Sequence, residues 1–236
     1  MWGSRTVLST ITEPADGTAE TGEYALAKLY VVGAPKGFYV DAVKPAFDRV
    51  VGTLCLLIAM PAMIACAVAV RVSVGRGIFF SQQRVGLDGR VFKVYKFRTM
   101  HHDRRECDRG AYAGPERRRT HKHPEDPRLT GVGRFLRTWS LDELPQLWNV
   151  VRGDMSIVGP RPELLCVVQR YADWEHARHR VKPGLTGLWQ VSARGGGRPM
   201  HEHVSIDLQY VARVSPWLDL RILARTPVCL FTNRGY

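Results

Sequence analysis

Val50-Val51-Gly52-Thr53-Leu54-Cys55-Leu56-Leu57-Ile58-Ala59-Met60-Pro61-Ala62-Met63-Ile64-Ala65-Cys66-Ala67-Val68-Ala69-Val70 is an apolar run without a single charge. As a helix it measures about 31 Å, enough to cross a hydrocarbon core of about 30 Å. A buried core helix is the competing reading, but soluble helices rarely stay apolar on every face over this length. The run starts too far along the chain for a usual signal peptide and has no small-residue cleavage pattern after it. Pro61 removes one backbone hydrogen bond at its middle and predicts a kink. Lys44 and Arg49 precede the run; Arg71, Arg76, Arg84, Arg90 and Lys93 follow it. Basic residues favour the cytoplasmic side, so a helix that enters, bends at Pro61 and leaves by the same face satisfies both clusters. A re-entrant helix is therefore expected. A single crossing stays open, because spanning helices also carry prolines.

Outward from the run, residues 1–43 are polar and read as a flexible lead with one short ordered piece near Tyr24–Val32. Downstream, Ile78-Phe79-Phe80 and Val91 to Phe97 flank Gly86-Leu87-Asp88-Gly89. Two β-prone runs around an Asp-Gly turn predict a β-hairpin. Residues 101–128 are highly charged, with Arg117-Arg118-Arg119 and several prolines, and read as a mobile basic loop. Helices are expected over Val132–Trp139, Pro145–Val151 and Arg161–His179. A last one has Ser215 as N-cap, Pro216 at its first position and Pro227 just past its end.

The net charge of +12 over 236 residues calls for an anionic partner: nucleic acid, phosphorylated metabolites or acidic lipid. The five cysteines lack CxxC spacing and are expected to be reduced, which suits a cytoplasmic catalytic region. His101, His102, His121 and His123 have no supporting cysteines and read as solvated loop residues rather than zinc ligands.

Ser140-Leu141-Asp142-Glu143-Leu144-Pro145-Gln146 holds the chemistry. Ser140 and Glu143 fit a capping box. Pro145 would then fall past the first turn, so Asp142 is the preferred cap. That places two adjacent carboxylates at a helix start, a setting that favours ionised carboxylate and also phosphate. One carboxylate can cap; the second is left over. An ionised carboxylate can attack phosphorus and form an acyl phosphate, and its neighbour can hold a divalent cation bridging phosphate oxygens. Side-by-side anions require cations nearby. Candidates are Lys96, Arg98, Arg128, Arg134, Arg137 and Arg161, the last stiffened in Gly159-Pro160-Arg161-Pro162-Glu163.

Several blocks together resemble the bacterial sugar transferases, the monotopic polyprenyl-phosphate hexose-1-phosphate transferases that prime cell-surface polysaccharides. They are Lys44–Arg49 (KPAFDR), the proline-centred apolar run, Phe79–Gly86 (FFSQQRVG), Lys96–Met100 (KFRTM) and Asp126-Pro127-Arg128. Gly133–Gln146, Leu147–Glu163, Lys182–Arg194 and Asp207–Thr226 follow in order. The resemblance implies Asp142 as nucleophile and Glu143 as catalytic partner and Mg²⁺ ligand. It implies Lys96, Arg98, Arg137, Arg161, Glu163, Gln190, Arg194 and Asp207 as substrate-binding residues. Met60 stands where the family usually has Ser before the membrane proline, Gly75-Arg76-Gly77 replaces a usual Gly-Pro, Ala193 replaces a common Gly, and the loop at 104–125 is lengthened.

The expected fold is α+β and mostly helical: a flexible segment (1–43), a re-entrant membrane helix with its flank (44–77) and a small cytoplasmic phosphoglycosyl transferase domain with a β-hairpin (78–236). The implied reaction moves hexose 1-phosphate from a UDP-sugar to polyprenyl phosphate and releases UMP at the bacterial plasma membrane. Expected partners are those two substrates and inner-leaflet lipids, with a homodimer allowed and nucleic acid excluded. A membrane-tethered nucleic-acid binder shares the charge but leaves the Asp142–Glu143 pair unexplained; a silent scaffold leaves its carboxylates and arginines without a role.

Overall fold

The computed structural model describes residues 33–100, 129–192 and 204–232. The charged loop at 101–128, the four loop histidines, Arg194 and the lead through residue 32 lie outside them. Helix α1 (Lys44–Val74) follows directly on a π-helical turn, Tyr39–Val43. It contains Pro61, and together these residues form the one helix, among those described, long and apolar enough to cross a membrane. Leu54, Leu57, Ile58, Ile64, Val68 and Val72 are exposed along it. Lys44, Asp48 and Gly52 near one end, and Cys66 and Val70 near the other, are buried. A Cβ on Gly52 would lie 2.8 Å from Val150 Cγ1, so glycine there permits close approach of α1 to the body.

Strands β1 (Phe79–Val85) and β2 (Val91–Phe97) form the expected antiparallel hairpin, Phe79 facing Phe97 and Val85 facing Val91. Helix α2 (Gly131–Thr138) is capped by Thr130, whose hydroxyl accepts from Gly133 N. A 3₁₀ turn (Leu141–Glu143) leads into α3 (Gln146–Arg152). Next come β3 (Ser156–Val158), β4 (Glu163–Leu164), α4 (Leu165–Val168) and a 3₁₀ stretch, Asp173–Arg180. The chain continues with β5 (Gly184–Thr186), α5 (Leu188–Ser192), α6 (Val204–Ala212) and α7 (Pro216–Thr232). Strand β4 joins β1 antiparallel, while β3 and β5 form a separate parallel pair.

Three expectations are corrected. The single helix over Arg161–His179 is instead β4, α4 and a 3₁₀ stretch. Pro160 and Pro162 keep the start out of a helix, and Glu163-Leu164 completes the edge of β1. Ser215 does cap α7, its hydroxyl accepting from Leu218 N at 3.3 Å. Pro227, however, lies inside that helix. The Thr226 hydroxyl bonds back to Ile222 O at 2.8 Å, the kind of contact that bends a helix open and makes room for the ring. Cys55, Cys66 and Cys229 are free, but Cys166 is disulfide-bonded. Sequence spacing without a CxxC pair says nothing of Cα separation, which decides whether a bridge can form.

The main core joins Val94, Val150, Met155, Val158, Tyr210 and Ile222, uniting β2, α3, β3, α6 and α7. A second cluster places Cys66 and Val70 of α1 against Phe97 and Leu136. The entry end of α1 is fixed by polar contacts. Asp219 Oδ2 accepts from Lys44 Nζ at 2.7 Å and from the Tyr39 hydroxyl at 2.6 Å. Its Oδ1 accepts from the Tyr210 hydroxyl at 2.8 Å. Asp48 Oδ1 accepts from Ile157 N at 3.1 Å. The first and last helices are thereby tied to β3, whose chain leads to Arg161.

Candidate active site

Residues from two other places in the chain converge on Glu143. Lys96 arrives from β2 and puts Nζ 2.7 Å from Glu143 Oε1. Arg161 arrives from the loop after β3 and grips the same carboxylate with both arms, Nη2 at 2.6 Å from Oε1 and Nη1 at 3.4 Å from Oε2. Asp142, the adjacent residue, is 9% exposed. The frame holding this arrangement is buried. Asn149 of α3 accepts from Tyr95 N at 3.2 Å and donates to Lys93 O at 2.7 Å, locking α3 to β2 on both sides of Val94.

The carboxylate turn is not the side-chain cap expected at Asp142. Ser140 precedes the turn at φ 56, in the left-handed region, and makes no side-chain cap bond; Pro145 opens α3. A non-glycine residue there costs on the order of 1 kcal/mol. The reversal lets the chain leave α2 and present Asp142 and Glu143 on a tight turn, which an ordinary helix start would not do.

Burial pulls the Lys96 ammonium below the ordinary lysine range, and the neighbouring Arg161 adds to this, while Glu143 opposes. Arg161 is held charged, chiefly by Glu143. The unfolded chain keeps the Lys96 proton to higher pH. Lys96 therefore costs stability below its lowered pKa, and the cost is relieved as pH climbs from there to about 10.4. Any activity that uses Lys96 to attract an anion has the opposite sense, because only the charged ammonium does so. The alkaline limb of kcat/KM should thus fall below the ordinary lysine range, and Lys96→Arg should move it upward in a pH–rate profile.

A cavity opens beside these groups, lined by Arg84, Val94, Lys96, Gln146, Arg161 and Pro162. Arg84 and Gln146 were missed in the sequence. Arg84 had a signal: Phe80 pairs with Lys96 and Arg84 with Phe92, so strand alternation puts Arg84 and Lys96 on one sheet face.

The other expected binding residues have partners of their own. Arg98 donates to Phe79 O at 3.4 Å. Arg137 Nε donates to Thr99 Oγ1 at 2.9 Å. Gln190 is buried and donates to Leu185 O at 3.2 Å. Glu163 is wholly buried, and Asp207 is 2% exposed. Both lie against Arg178, a residue the sequence did not single out, because an arginine inside a polar, helix-like stretch looks solvated.

The chain matches the family model described as Bacterial sugar transferase over residues 39–233. It is 38% identical over 220 residues to a UDP-glucose:undecaprenyl-phosphate glucose-1-phosphate transferase of Xanthomonas campestris pv. campestris, covering 89% of this chain and 43% of that protein. It is 42% identical over 197 residues to the Undecaprenyl-phosphate galactose phosphotransferase of Salmonella typhimurium, covering 81% of this chain and 41% of that one. The Exopolysaccharide production protein ExoY of Rhizobium meliloti is 39% identical over 197 residues, covering 81% of this chain and 87% of ExoY. The chain thus spans less than half the length of the first two relatives and most of the third. These matches mean that the chain belongs to the bacterial sugar transferase family.

Proposed function

We propose that the chain transfers hexose 1-phosphate from a UDP-sugar to polyprenyl phosphate at the cytoplasmic face of a bacterial plasma membrane. The observation that carries this reading is the Asp142–Glu143 pair with Lys96 and Arg161 closed on Glu143. The family resemblance assigns the attack to Asp142 and leaves Glu143, held by Lys96 and Arg161, as its partner. A carboxylate oxygen of Asp142 bonds to the sugar-proximal phosphorus as the bond from that phosphorus to the UMP oxygen breaks. UMP leaves with the electron pair, and an acyl phosphate joins Asp142 to the sugar phosphate. An oxygen of polyprenyl phosphate then attacks the same phosphorus, and the carboxylate of Asp142 departs. Lys96 and Arg161 stand where negative charge accumulates on the phosphate oxygens.

Among the described residues no cluster of three or more His, Cys, Asp or Glu side chains offers an all-protein metal cage. Mg²⁺ needs no such cage when it takes its other ligands from substrate phosphates and water. The two adjacent carboxylates fit that demand. Glu143 would hold the ion, which would neutralise phosphate charge when bound.

The membrane helix supports a re-entrant arrangement. Its two ends, around Lys44–Gly52 and Met63–Val74, both pack on the globular body, while apolar side chains between them are exposed. A full crossing would separate those ends by the bilayer. Cysteine reporters placed on the two flanks, at Asp41 and at Arg76, should label from the cytoplasmic side alone; opposite-side labelling would show a crossing.

Purified protein in lipid nanodiscs with Mg²⁺, polyprenyl phosphate and a panel of UDP-sugars tests the reaction. UMP released in step with lipid-linked sugar, for one donor, is the expected result. No UMP with any donor would overturn the reading.

A further inference from the structure

Arg161 does not hold its position unaided. The carbonyl of Arg161 accepts from Arg178 Nη2 at 2.8 Å, and the next carbonyl, of Pro162, accepts from Arg84 Nη1 at 3.2 Å. Glu163, the residue after that, lies between the two guanidiniums, with Arg84 at 3.8 Å and Arg178 at 3.8 Å. Arg178 Nη2 also donates to Asp207 Oδ2, and Nη1 donates to the Tyr171 hydroxyl at 2.6 Å. The Arg178 side chain is 1% exposed, so it touches no substrate.

We propose that Arg178 is a positioning residue: it clamps the backbone of the Arg161–Glu163 loop and so aims the Arg161 guanidinium at Glu143 and the substrate phosphates, with Asp207 and Glu163 as its counter-ions. This rests on the proposed function only for the identity of the phosphates. Three features support this role. The Arg178 fork reaches a carbonyl, a carboxylate and a hydroxyl at once, which a lysine ammonium cannot do in one geometry. Its charge is balanced by two buried carboxylates, which explains why Glu163 and Asp207 lie inside the protein. Proline flanks Arg161 on both sides, so a force on its carbonyl passes to its Cα with little slack.

The test is a double-mutant cycle on the full chain in nanodiscs: Arg178→Lys, Arg161→Lys and both together, with UMP release as readout. If Arg178 acts through Arg161, Arg178→Lys loses about 100-fold in kcat/KM, mostly in kcat, the scale of an ångström misplacement. Added to Arg161→Lys it then loses little more. Multiplying losses, or an unchanged kcat/KM, would overturn the proposal. If Arg178→Lys does not fold, Tyr171→Phe replaces it, with a loss of a few fold expected and the same non-additivity. A second readout needs no turnover. The Nε–H signal of Arg161, assigned by its absence in Arg161→Lys, should be sharp and slowly exchanging in the wild type and averaged in the Arg178 or Tyr171 variant. An unchanged signal counts against the clamp. Wild-type protein inactive on every donor would sink the proposed function, and the Arg161 signal would still decide the clamp.

Discussion

Asp142→Asn abolishes transfer, lowering kcat by about 10⁴-fold or more, the scale seen when a covalent nucleophile is removed. The amide keeps the volume of the carboxylate, and Asp142 is nearly buried, so the turn should keep its shape. Lys96 and Arg161 keep their ion pairs with Glu143. Donor binding should therefore survive, and the loss should fall on kcat with KM little changed. UMP release by the variant and binding of the UDP-sugar, measured side by side, check both halves. Residual activity above a tenth of the wild type would mean that polyprenyl phosphate attacks the donor directly, with Asp142 in an auxiliary role.

Gly184→Ala is the second large effect, and it acts on the fold. An added Cβ would lie 2.1 Å from Gly159 N, 2.5 Å from Thr186 O and 2.7 Å from Gly159 Cα. All three are backbone atoms in the β3–β5 pairing, where Gly159 N donates to Thr186 O and Gly184 N to Pro160 O, each at 2.8 Å. No side chain can rotate away, so the strands must part. The expected cost is about 3 kcal/mol or more, the upper range for overpacking. That is a drop of roughly 6–12 °C in Tm for a chain of this size. Gly131→Ala is the control, because its Cβ meets nothing within 4 Å and its φ is ordinary. A melt of Gly184→Ala matching that control would mean that the two strands part at this crossing with little cost.

The crossing of Gly159 and Gly184 also explains what the sequence could not disclose. Strands β3 and β5 have three residues each and β4 has two, too short for any period to register. Their pairing depends on backbone contact between distant glycines, which leaves no local pattern. The hairpin and the apolar helix were legible because they are long and their patterns repeat. The carboxylate pair was legible for a different reason: two adjacent acids beside a proline exceed what capping needs, although the turn they occupy is a 3₁₀ turn after a left-handed Ser140. Glu163 and Asp207 stood out in the matching motif blocks, but nothing local foretold their burial against Arg178. Arg178, their shared partner, gave no sign because its importance comes from tertiary contacts alone.

The central claim is a sugar phosphate held covalently on Asp142. Wild-type protein incubated with Mg²⁺ and its UDP-sugar, without polyprenyl phosphate, should release one UMP per active site and gain the mass of one hexose 1-phosphate less one water. Peptide mapping should place the adduct on Asp142, and polyprenyl phosphate should discharge it. Full turnover with no mass gain on any time scale, or an adduct on another residue, would contradict the account.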